Sequence, residues 1–368
     1  MSASQFYTVD AGSQTPVLPI ASWLAVLAFL LLPATAQAQF YYSSNNDQIT
    51  ITGYVGPGGD VTVPGSIDSL PVTAIQDSAF YNSSTVTNLT IPDSITNIGN
   101  NAFAWCVNLA NVRLPNPLIT LGNSAFYYCT SLTNVALGNA VTSIGDYTFY
   151  DCWKLANATL GTSVRSIGYA AFYSAFSLKS ISIPNTVTNI ADYAFNNCTN
   201  LTSVVLGNSI SRIGFAAFSG CSLTNVTIPE SVVNIGQYAF FMCPGLRGVF
   251  FRGNAPASGA ILFDGGGNVT VYYLPGSSGW SVPFAGLLPV LWNPRMQTAD
   301  GYFGVRTNRF GFNITGTANI PMVIEASTSL GNAGWTPLQS STLTNGSIYY
   351  SDPNWANYPS RLYRVRSP

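Results

Sequence analysis

The sequence predicts a repeat solenoid built mainly of β-strands, followed by a small antiparallel β-sandwich at the C-terminal end. Three observations lead to this prediction. A dipeptide ending in phenylalanine recurs at a nearly constant spacing, several apolar positions keep the same spacing, and the periodicity stops near residue 297. Self-similarity at a period of roughly 20–50 residues is the sequence signature of stacked repeat units.

The repeat is marked by the dipeptide Ala-Phe, which is replaced once by Thr-Phe. Eight phenylalanines are in register, and successive ones are 23 residues apart six times and 22 apart once. They predict a stack of about eight units. The eight positions are Phe80, Phe103, Phe126, Phe149, Phe172, Phe195, Phe218 and Phe240.

Within each unit, apolar residues alternate with polar ones and then meet a Pro or a Gly. Val135 and Leu137, followed by Gly138, are one example. The alternation predicts a half-buried strand, because successive side chains of a strand point to opposite faces. A second short strand is predicted next, as in 141–145, and the Ala-Phe segment is predicted to be a helical turn or an irregular edge. One unit has too few apolar residues to bury its own face, so neighbouring units must stack.

Units such as 223–240 (LTNVTIPESVVNIGQYAF) resemble the BspA-type leucine-rich repeat, over about residues 75–251. Members of that family are typically surface or secreted proteins of bacteria and some protists, often associated with adhesion. The resemblance implies a leucine-rich-repeat-like stack that serves as a binding scaffold. It names no ligand, because a fold does not determine a function.

The N-terminus predicts export. An uncharged apolar stretch of 13 residues, 20–32, precedes Pro33 and an A-x-A site at 36–38. This pattern predicts a signal peptide over 1–38 with cleavage near Ala38, since a membrane span needs about 20 apolar residues. The segment before it is atypical in having no Lys or Arg. We expect a secreted or cell-surface protein with no transmembrane span in the mature chain.

The rest of the chain divides by its patterning. The pattern of residues 39–74 predicts an N-terminal β cap, and residues 75–252 contain the repeats. A C-terminal cap and linker are predicted over residues 253–296. Residues 297–368 are predicted to form a β-sandwich-like module, because they contain short segments separated by turn signals. This module weakly resembles fibronectin-like modules of exported bacterial proteins, with attachment, sorting or spacing as its role.

All six cysteines lie three residues after a repeat phenylalanine, which predicts a structural ladder along the stack. Ser83 and Ala175 fill the same position in the two other units, so the position mainly requires a small residue. Parallel side chains make disulfide geometry difficult, and we favour free buried thiols. One or two bridges, or a metal site, are the alternatives, although no CxxC spacing supports zinc. The ladder is Cys106, Cys129, Cys152, Cys198, Cys221 and Cys243.

The composition argues against an enzyme and against a nucleic-acid partner. Only 7% of residues are charged, the 13 basic residues form no cluster, and there is no histidine. This removes the basic surface that phosphates require and the commonest general base. Asp77, Asp146 and Asp192 share one repeat position, but other units fill it with uncharged residues. We therefore expect no catalytic residue, no cofactor and no metal.

Two surfaces are candidates for binding. Tyrosines directly follow the repeat phenylalanine at Tyr81, Tyr127, Tyr150 and Tyr173, with Trp105 and Tyr128 one position further. If this edge faces solvent, stacked tyrosines suit sugars or extended peptides; the alternative is a partly buried packing ladder. On the predicted sheet face, a recurring asparagine forms either a binding surface or a structural ladder, at Asn88, Asn111, Asn134, Asn157 and Asn225.

These observations predict a secreted or cell-surface, non-enzymatic binding protein that recognises a protein or glycan ligand, in adhesion or a similar role. The alternative is a structural component of the envelope or matrix that self-associates without a specific ligand.

Overall fold

A computed structural model of the chain describes residues 39–45, 47–329 and 334–368. The predicted signal peptide lies outside the described residues. Within them, no helix has both the length and the apolar character that a membrane crossing requires. The described chain forms a stack of parallel strands, followed by a module of antiparallel strands.

One strand of each turn belongs to a main ladder, in which the predicted Val-x-Leu alternation is confirmed. Its strands fall into three hydrogen-bonded sheets, within which neighbours pair in parallel, as Val135 does with Ala158. The apolar residues of the alternation point into the core, and the polar ones point outward. The ten strands of this ladder among the described residues are Gly59–Thr62, Val86–Thr90, Asn111–Arg113, Asn134–Ala136, Asn157–Thr159, Ser180–Ser182, Ser203–Val205, Asn225–Ile228, Gly248–Phe251 and Thr270–Tyr273.

The second predicted strand of each unit forms a short ladder, also parallel. Its first strand, Leu70–Ile75, pairs in parallel with Gln48–Tyr54, and Phe40–Asn45 covers the outer edge of that strand in antiparallel orientation. Ser66–Ile67 forms a small hairpin with Leu70–Ile75. The later strands are Asn97–Ile98, Thr120–Leu121, Ser143–Ile144, Ser166–Ile167, Asn189–Ile190, Arg212–Ile213, Asn234–Ile235 and Ala257–Ser258.

The Ala-Phe segment is neither a helix nor irregular, but a series of turns that repeats in every unit. In the unit of Phe126, Ser124 and Tyr128 have φ values of 55° and 61°, in the left-handed region. The backbone N–H groups of Ser124, Phe126 and Tyr128 donate to carbonyls of the next turn at 2.8, 2.9 and 2.8 Å. This edge is therefore a third hydrogen-bonded ladder, and it holds its side chains at a fixed spacing. We call it the turn edge.

The repeat phenylalanines form a buried column through the core. From Phe80 to Phe240, neighbouring ring centroids are 5.0–5.6 Å apart. The column continues beyond the predicted units, with Phe263 at 6.1 Å from Phe240 and Tyr54 at 5.1 Å from Phe80. The stack thus has about two more turns than the eight that the sequence predicts, and it runs past residue 252. The extra turns were missed because Leu, rather than Ala, precedes Phe263 and because Tyr54 replaces the phenylalanine.

The C-terminal module contains two antiparallel sheets that share one core, as the predicted sandwich requires. Val290–Leu291 first adds a parallel strand to Thr270–Tyr273 of the stack. The strands of one sheet are Arg295–Met296, Gly304–Arg306, Arg309–Thr315 and Ser347–Asp352. Those of the other are Pro321–Ser327, Thr336–Thr342 and Leu362–Arg366, and a 3-10 helix spans Trp355–Asn357.

The module packs directly onto the last turns of the main ladder. Phe250 and Tyr272, at outward-facing positions of that ladder, are buried in the core of the module rather than in the core of the stack. Their rings stack at 4.7 Å, and Trp292 lies edge-on to Phe250 at 6.3 Å. The stack and the module are therefore joined by a packed interface.

Candidate binding face on the turn edge

Three of the four predicted binding tyrosines form a row along the turn edge. The ring centroids of Tyr127 and Tyr150 are 5.0 Å apart, and those of Tyr150 and Tyr173 are 4.8 Å apart. The rings are nearly parallel, with interplanar angles of 12° and 10°. They are parallel because each tyrosine directly follows the phenylalanine of its own turn. We call these three residues the tyrosine row.

Tyr81, the fourth predicted residue, is separated from this row. It is 53% exposed and lies two turns before Tyr127, and the turn between them carries Ala104 at the same position. Alanine has no ring to bridge the gap. The structure therefore brings together only part of the predicted set.

The tyrosine row presents ring edges and hydroxyl groups rather than ring faces. Both faces of Tyr150 are covered by its two neighbours, and all three residues are half-buried. Burial and the nearby Asp151 raise the pKa of Tyr150 to about 12, and burial raises the pKa of Tyr127 as well. The hydroxyls of Tyr127 and Tyr150 consequently stay protonated near neutral pH and are available as hydrogen-bond donors.

A second row of aromatic residues was missed in the sequence. Neighbouring centroids in this herringbone row are 5.2–5.5 Å apart, and the rings are inclined by 57–75°. The aromatic residue alternates between two and three positions before the phenylalanine, so its pattern repeats only every second turn. Neither of these two positions is aromatic in every unit, so the row is not visible when one repeat position is compared across the units. The row consists of Tyr147, Tyr169, Tyr193, Phe215 and Tyr238.

An outer row completes the surface. Trp105 stacks on Tyr128 at 4.1 Å, Tyr128 meets Trp153 edge-on at 5.7 Å, and Trp153 lies 6.4 Å from Phe176. Tyr127 lies 5.6 Å from Tyr128, which joins the outer row to the tyrosine row.

Tyr147 lies 5.7 Å from Tyr150, which joins the herringbone row to the tyrosine row. The three rows therefore form one continuous surface of twelve rings, all exposed or half-buried, which we call the aromatic face. Trp153, at 41% exposed, is the most accessible of them.

One acidic residue lies between members of the aromatic face in the sequence, directly after Tyr150 and two residues before Trp153. Asp151 is half-buried, and its backbone N–H donates to the carbonyl oxygen of Tyr173 at 2.9 Å. Burial raises the pKa of Asp151, and the polar groups of Trp153 and Ser174 partly offset the increase. Ser174 is itself held by Asn197, whose Nδ2 lies 3.3 Å from its Oγ. No ion pair involves Asp151 in the part of the chain that the structure describes.

The other recurring carboxylates have a structural role. Oxygens of Asp77, Asp146 and Asp192 accept the backbone N–H of the corresponding residue in the next turn, at 2.7–2.8 Å. Asn100 uses its side-chain oxygen in the same way, at 2.8 Å from the N atom of Asn123. An amide oxygen and a carboxylate oxygen are equivalent for this purpose, which explains why both residue types occupy the position.

The cysteine ladder lies in the core, where all six thiols are buried and free. Each Sγ atom is 3.1–3.2 Å from the carbonyl oxygen of the phenylalanine one turn earlier, as with Cys129 and Phe103. Burial raises the pKa of Cys106 to about 12 and that of Cys129 well above its ordinary value. The protonated thiol thus acts as a hydrogen-bond donor between turns. The sequence predicted only that this position requires a small residue, and it did not predict this hydrogen bond.

On the main ladder, four of the five outward asparagines of the predicted set bond to one another in pairs. Asn111 Nδ2 lies 2.7 Å from Asn88 Oδ1, and Asn157 Nδ2 lies 2.7 Å from Asn134 Oδ1. The amides therefore satisfy each other along the stack, which favours the structural interpretation of this ladder.

The sequence profile of the BspA type leucine-rich repeat region matches residues 73–198 and 165–278, with six copies of the repeat. The two overlapping matches span more than half of the chain. The chain belongs to the BspA-type leucine-rich repeat family. The match extends to residue 278, in agreement with the continuation of the stack beyond residue 252. A comparison with curated protein sequences finds no significant match.

Solved structures of leucine-rich repeat proteins resemble this BspA-type chain. One from T. pallidum is 35% identical, with 50% of this chain and 86% of that one covered, at a TM-score of 0.47. Another, from Bacteroides ovatus, is 23% identical over 64% of this chain and 70% of that one, at a TM-score of 0.49. A leucine-rich cell surface protein of Faecalibacterium prausnitzii is 21% identical over 65% and 94%, at a TM-score of 0.31.

Proposed function

We propose that this BspA-type chain is a secreted or cell-surface protein that binds a ligand through the aromatic face, in adhesion to a protein or glycan surface. The observation that carries the proposal is the continuity of that face. Twelve partly exposed rings, each within 6.5 Å of another, lie on one edge of the stack. Packing of the core alone does not require aromatic residues at outward positions.

The face has two properties of a recognition surface. Tyrosine and tryptophan are enriched in protein interfaces, since each combines a large apolar area with a polar group. The turn edge is also preorganised, because backbone hydrogen bonds such as Phe126 N–H to Thr148 O connect every turn to the next. Little conformational entropy is then lost when a ligand binds.

The shape of the face favours an extended ligand. The tyrosine row and the herringbone row both run along the stack, so a chain-like partner contacts several turns at once. In solenoid proteins, binding is typically spread over many units in this way. The hydroxyls of the tyrosine row supply hydrogen-bond donors along the same line.

The compartment belongs to the same proposal. The apolar stretch 20–32 and the A-x-A site at 36–38 are typical of a cleaved signal peptide. With no histidine and with its recurring carboxylates bonded to the backbone of the next turn, the chain offers little for acid–base catalysis. We therefore infer a binding rather than a catalytic role.

The test compares two triple variants of the mature chain on arrays of immobilised glycans and peptides. One variant replaces Tyr127, Tyr150 and Tyr173 with alanine. The matched control replaces three tyrosines away from the face, which are 49%, 51% and 44% exposed: Tyr41, Tyr302 and Tyr349.

We expect the unmodified chain to bind saturably to at least one array element and the first variant alone to lose that binding. Equal binding by both variants contradicts the proposal. Concentration-dependent self-assembly without any array binding instead supports the alternative role as a self-associating structural component.

A further inference from the structure

Five rings of the aromatic face lie at backbone positions that disfavour large side chains. In each turn, the residues two before and two after the repeat phenylalanine have φ values in the left-handed region. Glycine and asparagine adopt this region most readily, and other turns carry Asn101, Asn197 or Gly220 at these positions. A bulky residue there costs free energy, and such residues cluster at functional sites. The five rings, with φ values of 57–64°, are Trp105, Tyr128, Tyr147, Tyr193 and Tyr238.

Three of these rings belong to the herringbone row, whose geometry repeats over two turns. Tyr147, Tyr193 and Tyr238 occupy the left-handed position before the phenylalanine. In the turns between them, Ala170 and Ala216 take that position and the aromatic residue comes one place earlier. Rings attached in the same way therefore recur every second turn. Because neighbouring strands of a stack are about 4.8 Å apart, two turns correspond to ~9.6 Å.

This repeat matches one turn of a polyproline II helix. Such a helix has three residues per turn and a rise of about 3.1 Å per residue, so its side chains return to the same side every ~9.3 Å. A β-strand returns its side chains to the same side every ~6.6 Å, which matches neither one turn nor two turns of the stack. The five rings of the herringbone row span about 19 Å, which is the length of roughly six residues in a polyproline II helix.

The chemistry of the herringbone row also suits a proline-rich segment. Proline-rich helices of this kind dock on surfaces lined by aromatic side chains. Their backbone has no internal hydrogen bonds, so its carbonyl oxygens remain free to accept. Four of the five rings are tyrosines, whose hydroxyls can donate to such carbonyls. The row is also accessible, since Tyr147 and Tyr169 are each 38% exposed.

The charges beside the herringbone row are already bonded. Asp146 accepts the backbone N–H of Tyr169 at 2.7 Å, and Asp192 accepts that of Phe215 at 2.8 Å. Asp192 also pairs with Arg212 at 2.6 Å. An uncharged ligand therefore fits this row better than a strongly charged one.

We propose that the herringbone row binds a proline-rich segment of a partner protein in the polyproline II conformation, with the helix axis along the stack. Every third residue of the segment packs against rings two turns apart, and the tyrosine hydroxyls donate to carbonyls of the segment. This inference rests on the proposed function, since it specifies the class of ligand at the aromatic face.

The test measures binding of a fluorescently labelled oligoproline to the mature chain by fluorescence anisotropy. A peptide of about nine prolines is long enough to span the five rings. The first comparison peptide is the same oligoproline made of D-proline, which has the same composition and rise but the opposite hand. The second is a flexible peptide of equal length with alternating glycine and serine.

We expect the L-oligoproline to bind saturably and both comparison peptides to bind at least tenfold more weakly. This comparison uses the unmodified chain, so it does not depend on the folding of a variant. Equal binding of the two oligoprolines, or no binding of the L-oligoproline, contradicts the inference.

Tyr193→Asn locates the site, because it removes the central ring of the row. Asparagine already occupies the same left-handed position at Asn101, so the variant is expected to fold. The matched control is Met242→Asn, at another left-handed position, where the side chain is 55% exposed and outside the three aromatic rows. Tyr193→Asn should weaken binding of the L-oligoproline about fivefold to tenfold, because one aromatic contact is lost. Met242→Asn should leave it unchanged, and equal effects of the two variants refute the site.

The array experiment separates this inference from the proposed function. If the arrays detect a ligand that the triple tyrosine variant loses, while the L-oligoproline does not bind, only the proline-rich ligand is refuted. If neither the arrays nor the L-oligoproline shows binding, the proposed function fails as well.

Discussion

The stack and the C-terminal module compensate their buried polar groups in different ways. In the stack, the same uncharged bond recurs in almost every turn, as when Cys129 donates to the Phe103 carbonyl. In the module, a few buried charges are each held by dedicated partners. Glu325, 3% exposed, binds two arginines at 2.6 and 2.7 Å, and Asp352, 2% exposed, lies 2.9 Å from Arg361.

This difference indicates how each part tolerates substitution. A repeated uncharged bond can be lost from one turn while its equivalents in the other turns remain. A buried charge cannot lose its partner so easily, because desolvation is then left uncompensated. We therefore expect sensitive positions to be few in the module and weaker effects to be spread along the stack.

The largest effect is expected for Asp352→Ala. It leaves the guanidinium of Arg361, whose side chain is only 10% exposed, buried without its partner. Removing one partner of a buried ion pair costs about 3–5 kcal/mol. Chemical denaturation followed by hydrogen exchange at strand Pro321–Ser327 measures this loss.

The control is Asp93→Ala in the stack, which breaks the exposed pair with Arg113. This change should cost less than about 1 kcal/mol, as is usual for surface pairs. A similar loss in both variants would show that burial does not distinguish the two pairs.

The second prediction concerns the stability of the C-terminal module at low pH. Burial raises the pKa of Glu325, but the lowering by Arg366 and Arg364 is larger than this increase. The pKa of Glu325 therefore lies below its ordinary value. The stability that this group contributes is therefore present above its unfolded pKa, and it is lost as the pH falls through its folded pKa. On acidification, hydrogen exchange should accelerate in strand Leu362–Arg366 before it does in the main ladder.

Replacing Glu325 with glutamine should remove this acid sensitivity from the module. If the main ladder opens first, or if the acid response persists in the glutamine variant, Glu325 is not its source.

The third prediction concerns two opposite substitutions in the cysteine ladder. Cys129→Ala removes one thiol–carbonyl hydrogen bond and should cost about 1–2 kcal/mol. Ala175→Cys adds the missing donor of the ladder and should have the opposite sign, by less than about 1 kcal/mol. Denaturation of both variants under reducing conditions measures the two changes. Unchanged stability in both would show that the position requires only a small side chain.

The smallest effect is expected for Asn111→Ala on the outward face of the main ladder. The hydrogen bond from Asn111 to Asn88 is exposed to solvent, and water can take the place of the lost amide. We therefore expect a loss of stability of less than about 0.5 kcal/mol. A thermal melt of this variant beside Cys129→Ala compares an exposed with a buried bond in the same stack. A larger loss for Asn111→Ala would reverse this order.

The sequence predicted the parts of the fold in which one residue type stays at one position. The column from Phe80 to Phe240 and the Val-x-Leu strands are examples. The tyrosine row was visible for the same reason. The herringbone row was not, because Tyr147 and Tyr169 occupy different positions in their turns and meet only when the turns stack. Phe263 was missed because the alanine that marks the repeat is absent there.

By itself, the sequence determined the stacked architecture and its uncharged core. Periodic apolar residues that cannot be buried within one unit leave stacking as the way to exclude water. Only the tertiary structure decided which outward aromatic residues face solvent. Phe250 and Tyr272 are covered by the C-terminal module, whereas Tyr127 and Tyr150 are not. The herringbone row, which begins with Tyr147 and Tyr169, likewise depends on contacts between turns, which no single repeat encodes.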